Sequence, residues 1–215
     1  MKVYCFSGLG ADERVFQFLN LPYETIFIQW IPTKRSESIE AYTARLATQI
    51  NHQEPYIYLG VSFGGIIACE LAKVSKPQQV ILISSVAMRN ELPFYYRLPF
   101  LAPILHLLPK TLLRPPSLLM SPLFGIHHKE HKKLFASIMK DTDLSFLKWA
   151  LQTIVSWKNR TLPFNLVRIH GTKDYILPAP KRVGIKTISG GHFIIVSEAT
   201  LISKMIIESI ISTHE

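Results

Sequence analysis

Three largely apolar runs constrain this chain more than anything else in it: Lys2 to Phe6, KVYCF; Tyr56 to Gly60, YIYLG; and Gln79 to Ser84, QVILIS. The last is continuous and β-branched, without the polar alternation of a strand that faces water on one side. A run of that kind must be covered on both faces, as a central strand of a parallel sheet is. The segments between the runs read as helices. Apolar residues recur at Ile39, Tyr42, Leu46 and Ile50, which predicts a helix over Ser38 to Ile50. A second is expected from about Gly64 to Val74, with Pro77 just past its end. Glu24 to Trp30 supplies a further strand, and Asp12 can cap a helix through Leu19. Strand and helix in alternation at this spacing form a βαβ pattern. With 215 residues the chain is long enough for one full core.

The rhythm breaks after Ala87. Residues 88 to 160 contain no convincing strand. Prolines first cut an apolar stretch into short helical pieces, and two amphipathic helices follow. Strands return at Phe164 to His170 and Gly184 to Ile188, and a last helix is expected from about Glu198 to Ile211. The domain reading is therefore a core of residues 1–87 and 161–215 interrupted by a helical insertion, 88–160.

Charge is unevenly spread. The formal net charge is +9, of which +7 lies between Met88 and Arg160, where 11 Lys/Arg face 4 Asp/Glu. A concentration of that sign attracts nucleic acid, an anionic membrane surface or an acidic protein, and it is also what a plain solvated face looks like. No nucleic-acid recognition motif accompanies it. Cys5 and Cys69 sit in apolar surroundings and read as buried thiols of a reducing compartment. The start, MKVYCFSGLG, lacks the pattern of a signal peptide, and no apolar run reaches membrane-spanning length. A cytoplasmic protein without a transmembrane segment is the expectation.

Two glycine-rich turns compete for the chemistry. Gly8-Leu9-Gly10-Ala11-Asp12-Glu13 stands where a dinucleotide fingerprint would, but Glu13 replaces the third small residue. The second strand ends in Gln29-Trp30 with no acid for a ribose, so a dinucleotide site is disfavoured. The other turn, Gly60-Val61-Ser62-Phe63-Gly64, follows one apolar run and precedes another. A serine at a strand-to-helix elbow takes strained dihedrals, and flanking glycines leave room where a Cβ would clash. Taken alone, it is equally a glycine-rich turn with a capping serine. Two further loops follow strands. His170-Gly171-Thr172-Lys173-Asp174 places an acid at a strand's carboxyl end, and Gly190-Gly191-His192-Phe193 places a histidine. Nucleophile, acid, base is one of three known chain orders for such a set.

In these segments, FSGLG, GVSFGG, HGTKDYILP and GGHF, the chain resembles the α/β-hydrolase superfamily. The resemblance covers roughly two-thirds of the chain and implies an α/β fold: a shortened, mostly parallel sheet of about six strands flanked by helices, with residues 88–160 as an inserted helical lid. It implies Ser62 as nucleophile, Asp174 as acid and His192 as base, with the backbone N–H groups of Leu9 and Phe63 as oxyanion hole. Gly8, Gly10, Gly60 and Gly64 are the loop and elbow glycines. Where the family commonly has His-Gly before the first oxyanion donor, this chain has Ser7-Gly8, which predicts altered loop packing.

The expected activity is hydrolysis of a carboxylic ester of a small or acyl-chain substrate through an acyl-serine, with no cofactor and no metal. Alternatives are a thioesterase, hydrolysis of an acyl ester on an acidic carrier protein docked by the basic lid, or an inactive ligand-binding protein on the same fold. Met88, Phe94, Tyr95, Leu98, Phe124, Phe135, Leu147 and Trp149 are the candidate acyl-pocket residues, although each would serve equally as lid core. Asp12 is better explained as a cap, and His170 is misplaced for a base. His127, His128 and His131 lie among lysines and do not form a closed ligand set.

Overall fold

The computed structural model describes residues 1–113 and 115–212. Its strands are β1 (Lys2–Phe6), β2 (Glu24–Phe27), β3 (Tyr56–Val61), β4 (Gln79–Ile83), β5 (Leu166–Gly171) and β6 (Ile185–Ile188). They form one six-stranded sheet in the order β2-β1-β3-β4-β5-β6, every neighbour pair parallel. The period of two decides which core each side chain joins. Tyr4, Phe6, Tyr58, Val80 and Leu82 point into one apolar layer, and Val3, Cys5, Leu59, Ile81 and Ile83 into the other. Helices α1 (Ile39–Leu46) and α2 (Phe63–Leu71) cover the first face, while α7 (Ile194–Ser197) and α8 (Ala199–Ile211) cover the second. This is why the central runs carry no polar alternation.

Some elements are shorter than their patterns suggest. β2 stops at Phe27 rather than Trp30, because its neighbour β1 ends at Phe6 and the chain then turns away. Asp12 caps, as expected, through the N–H of Arg14, but only a 3-10 turn follows, Glu13–Phe16. Ser38 caps α1 through the N–H of Ala41, and the helix tightens into a 3-10 turn at Ala47–Gln49. Helix α7 was not anticipated.

Between β4 and β5 the described residues hold helices and no strand: α3 (Leu101–Leu107), α4 (Ser117–Leu123), α5 (Lys129–Asp141), α6 (Leu144–Ser156) and several 3-10 turns. Both ends of this segment are pinned to the core. Glu91 Oε2 accepts from the N–H groups of Ala87 (2.8 Å) and Met88 (3.3 Å), and Oε1 accepts from Arg168 (2.9 Å) and Arg182 (3.2 Å). At the other end Trp157 Nε1 donates to buried Glu70 (2.7 Å), and Asn159 donates to the carbonyl of Ala87 (2.7 Å). Helix α6 also docks through aromatic rings, with Phe146 stacked on Trp30 at 5.1 Å and Trp149 against Tyr42 at 4.4 Å. Cys5 and Cys69 are buried free thiols. Among the described residues no helix is long and apolar enough to cross a membrane.

Candidate active site

Ser62 is the hinge between β3 and α2. Its φ of 52° and ψ of −121° lie far from the helical and extended basins, a conformation that surrounding packing must enforce. The glycines around it show how. A Cβ on Gly60 would stand 2.5 Å from the Cα of Gly65, and one on Gly64 would run into the carbonyl oxygens of Phe6 and Ser7. The strand, the helix start and the first loop therefore meet backbone to backbone. Two further residues, Gly65 at the end of GVSFGG and Ser85, which the sequence did not advertise, complete the elbow. Gly65 leaves space for Ser85, and Ser85 Oγ donates to the carbonyl of Ser62 at 2.6 Å. A second small residue after the glycine pair was the only available signal.

The elbow holds the Ser62 hydroxyl 2.9 Å from His192 Nε2, and His192 Nδ1 lies 2.8 Å from Asp174 Oδ2. Asp174 comes from the loop after β5, and His192 from the loop between β6 and α7. A carboxylate only accepts, so Nδ1 carries the proton and Nε2 of the neutral ring is free to accept from the serine. Asp174 is buried together with His192. Burial pushes the carboxyl's pKa up, but hydrogen bonds from His170 and His192, the His192 charge and the Leu177 N–H outweigh that and hold it well below the usual carboxylate range. Its Oδ1 accepts from the N–H groups of Ile176 (3.0 Å) and Leu177 (2.9 Å).

His170, set aside as a base, packs against the same acid. Its Nε2 is 3.3 Å from Asp174 Oδ2 and also hydrogen-bonds the Leu177 carbonyl. Asp12 lies outside this line, paired with Arg14.

Leu9 and Phe63 line the same cavity as Ser62 and His192, as do Gly8 and Gly10. A Cβ on Gly8 would lie 3.4 Å from that of Ser62, so the first loop passes directly over the elbow. Ser7 does not face the cavity. It is buried, donates to the carbonyl of Ala11 (2.8 Å) and accepts from Trp30 Nε1 (2.9 Å), which tightens the loop from behind. Thr142, at the end of α5, donates to the carbonyl of Gly10 at 2.7 Å and fastens the loop from the other side.

The cavity encloses about 270 Å³ and is walled almost wholly by apolar side chains. Of the eight acyl-pocket candidates, Phe124, Phe135 and Leu147 line it. Met88, Phe94, Tyr95, Leu98 and Trp149 do not. Met88 is buried in the pinned stem, Trp149 is turned into the Tyr42–Phe146 ring cluster, and Phe94 and Tyr95 are exposed. Leu98 is partly buried, away from the cavity wall. Met120, Ile138 and Leu151 take their places. Phe124 does more than line: its ring meets the edge of His192 at 5.2 Å, and its carbonyl accepts from the Phe193 N–H at 3.1 Å. The double glycine is what admits it, since a Cβ on Gly191 would lie 2.7 Å from the Cα of Gly125. Among the described residues no group of three metal-ligating side chains is placed to hold an ion.

No family model matches the chain, and no curated protein matches it in sequence. Solved structures do match in shape. A thermophilic esterase from Thermogutta terrifontis superposes with a TM-score of 0.77 at 15% identity, covering 100% of this chain and 91% of that one. MenH from S. aureus gives 0.73 at 15% identity, covering 100% and 95%. The RedJ thioesterase of the prodiginine pathway of Streptomyces coelicolor gives 0.63 at 17%, covering 95% and 89%. The sheet, its parallel order and the flanking helices are those of the α/β-hydrolase fold.

Proposed function

We propose that the protein is a serine hydrolase that opens a carboxylic ester through an acyl-serine intermediate. One observation carries the reading: Ser62 Oγ, His192 Nε2 and Asp174 Oδ2 form one continuous hydrogen-bonded line, its spans 2.9 and 2.8 Å, at the wall of an apolar cavity. His192 takes the Ser62 proton as the oxygen attacks the acyl carbon, and Asp174 stabilises the imidazolium that forms. The oxyanion is received by the N–H groups of Phe63, at the open start of α2, and of Leu9 in the loop above it. Losing one such donor costs about 3 kcal/mol in the transition state. His192 returns the proton to the leaving alcohol, then activates the water that clears the acyl-serine. The apolar cavity suits an uncharged acyl arm, and the esterase neighbours support the reaction class.

A thioester is the second reading, supported by the thioesterase neighbour and by the basic balance of residues 88–160, which suits an acidic carrier protein. An alkyl fluorophosphonate labels Ser62, and Ser62→Ala abolishes both the label and the turnover of p-nitrophenyl esters of graded chain length. Turnover retained in folded Ser62→Ala assigns the chemistry elsewhere, and a wild type that neither labels nor turns over any ester or thioester is a binding protein.

A further inference from the structure

Helices α3 and α4 are apolar on the wrong side. In α3, Phe100 at the cap, Ile104 and Leu107 follow one another at helical spacing, and all three face outward. In α4 the outward residues are Leu118, Leu119 and Leu123, and Leu112 projects from the 3-10 turn between the helices. These side chains are 46 to 82% exposed. Nine of the 19 large apolar side chains exposed among the described residues fall between Phe94 and Leu123. The inner sides of the same elements are apolar too, since Leu113 and Met120 line the cavity. A concentration of that kind marks an interaction surface.

Charge decides what the surface meets. From Leu92 to Lys129 the sequence contains no aspartate or glutamate, while Arg97 and Lys110 stand exposed among the apolar residues. Arg114, in the same stretch, lies outside the described residues. A second copy of the chain would bring Arg97 and Lys110 against the same excess of cations. The leucines protrude, which suits a soft, uniformly apolar phase better than a shaped protein partner. We propose that the outward face of α3, the 110–113 turn and α4 seats on an anionic lipid bilayer surface, its leucines among the acyl chains and Arg97 and Lys110 against the headgroups. Because Leu113 and Met120 belong to both the patch's elements and the cavity wall, docking sets the cavity beside the lipid phase.

The test is co-sedimentation of the full chain with vesicles, either phosphatidylcholine alone or phosphatidylcholine with one-quarter phosphatidylglycerol. Binding is expected to the anionic vesicles, and it weakens at high salt. Leu107→Asp with Leu118→Asp lowers the partition coefficient by about tenfold or more. Arg97→Glu with Lys110→Glu lowers it on anionic vesicles by about tenfold. Val183→Asp with Leu201→Asp, exposed apolar positions elsewhere, leaves it unchanged. Should the first pair fail to fold by circular dichroism, Leu112→Ser with Leu119→Ser makes the same comparison. No vesicle binding overturns the proposal, as does equal binding by wild type and patch variants. A wild-type oligomer that the leucine variants dissolve, or an acidic carrier protein that binds the patch while vesicles do not, also overturns it.

Discussion

Asp174 receives two imidazoles, and only one of them reaches Ser62. His170 Nε2 faces a carbonyl and a carboxylate, both acceptors, so that nitrogen carries a proton and bridges the two. It thereby ties Leu177 to Asp174 and fixes the plane of the carboxylate that His192 must meet, which makes His170 a positioning residue for the proposed reaction. His170→Phe removes the donor. It is expected to lower kcat by about tenfold, the order of one hydrogen bond to a charged group, with little change in KM. His170→Gln, which can return an N–H to the same place, recovers most of it. The pH profile separates this role from simple packing. Burial raises the Asp174 pKa, but hydrogen bonds, that from His170 first among them, hold it well below the usual carboxylate range, so in wild type it is ionised throughout. Without the His170 bond the Asp174 pKa rises toward that range, so the acid limb of kcat/KM begins to fall at higher pH in His170→Phe than in wild type. An unmoved limb, or a glutamine variant as slow as the phenylalanine one, would reduce His170 to a core residue. Ser62, Asp174 and His192 were legible because each sits in a glycine-bearing loop after an apolar run. The bridge from His170 was not, because it depends on how the chain folds back between His170 and Leu177.

At the scale of elements, the helical segment between β4 and β5 is pinned at both ends by polar anchors as well as by its apolar packing. Glu91 is buried and makes four contacts, two to backbone N–H groups and two to arginines. Arg168→Met leaves that carboxylate with only the exposed Arg182 as a charged partner, and is expected to cost about 3 kcal/mol in urea unfolding. Adding Glu91→Leu does not restore the loss, because the N–H groups of Ala87 and Met88 are then left without their acceptor. A double variant as stable as wild type would mean that the pair contributes little. These anchors explain why only three of the eight candidate pocket residues, Phe124, Phe135 and Leu147, line the cavity. Where one face of a helix is polar, as in α5, periodicity tells which residues turn inward, and Phe135 did so. In α4 both faces are apolar, so spacing cannot say that Met120, and not one of its leucines, meets the cavity. Met88 was drawn elsewhere by buried Glu91, only three residues on, and Trp149 by a ring cluster with Tyr42, far away in sequence. β2 and α7 were misjudged for a related reason: a strand ends where its neighbour ends, and one turn of helix is too short to show a period.

For the molecule as a whole, the sheet is the shared floor of two cores, and each contains one thiol. Cys5 lies in the layer under α7 and α8, and Cys69, on α2 itself, in the layer between the other face of the sheet and α1 and α2. Burial pushes both thiols' pKa values well up, so neither reacts until its layer opens. The single-thiol variants Cys5→Ala and Cys69→Ala therefore report the opening of one face each. The same strands, β1, β3 and β4, present alternate side chains to both layers, and removing either layer leaves half of each strand bare. That coupling predicts one cooperative unit. Labelling of Cys5 and Cys69 by a disulfide reagent under conditions of rapid reclosing should then show the same free energy of opening and the same dependence on urea. The slope measures the surface exposed, so a shallower slope at Cys5 would mean that α7 and α8 peel away while the rest stays folded. His192 sits immediately before α7, so such a separate opening would also release the histidine from Asp174. A parallel loss of hydrolysis at the same urea concentration would follow. If both thiols open together, activity should instead persist up to the global transition.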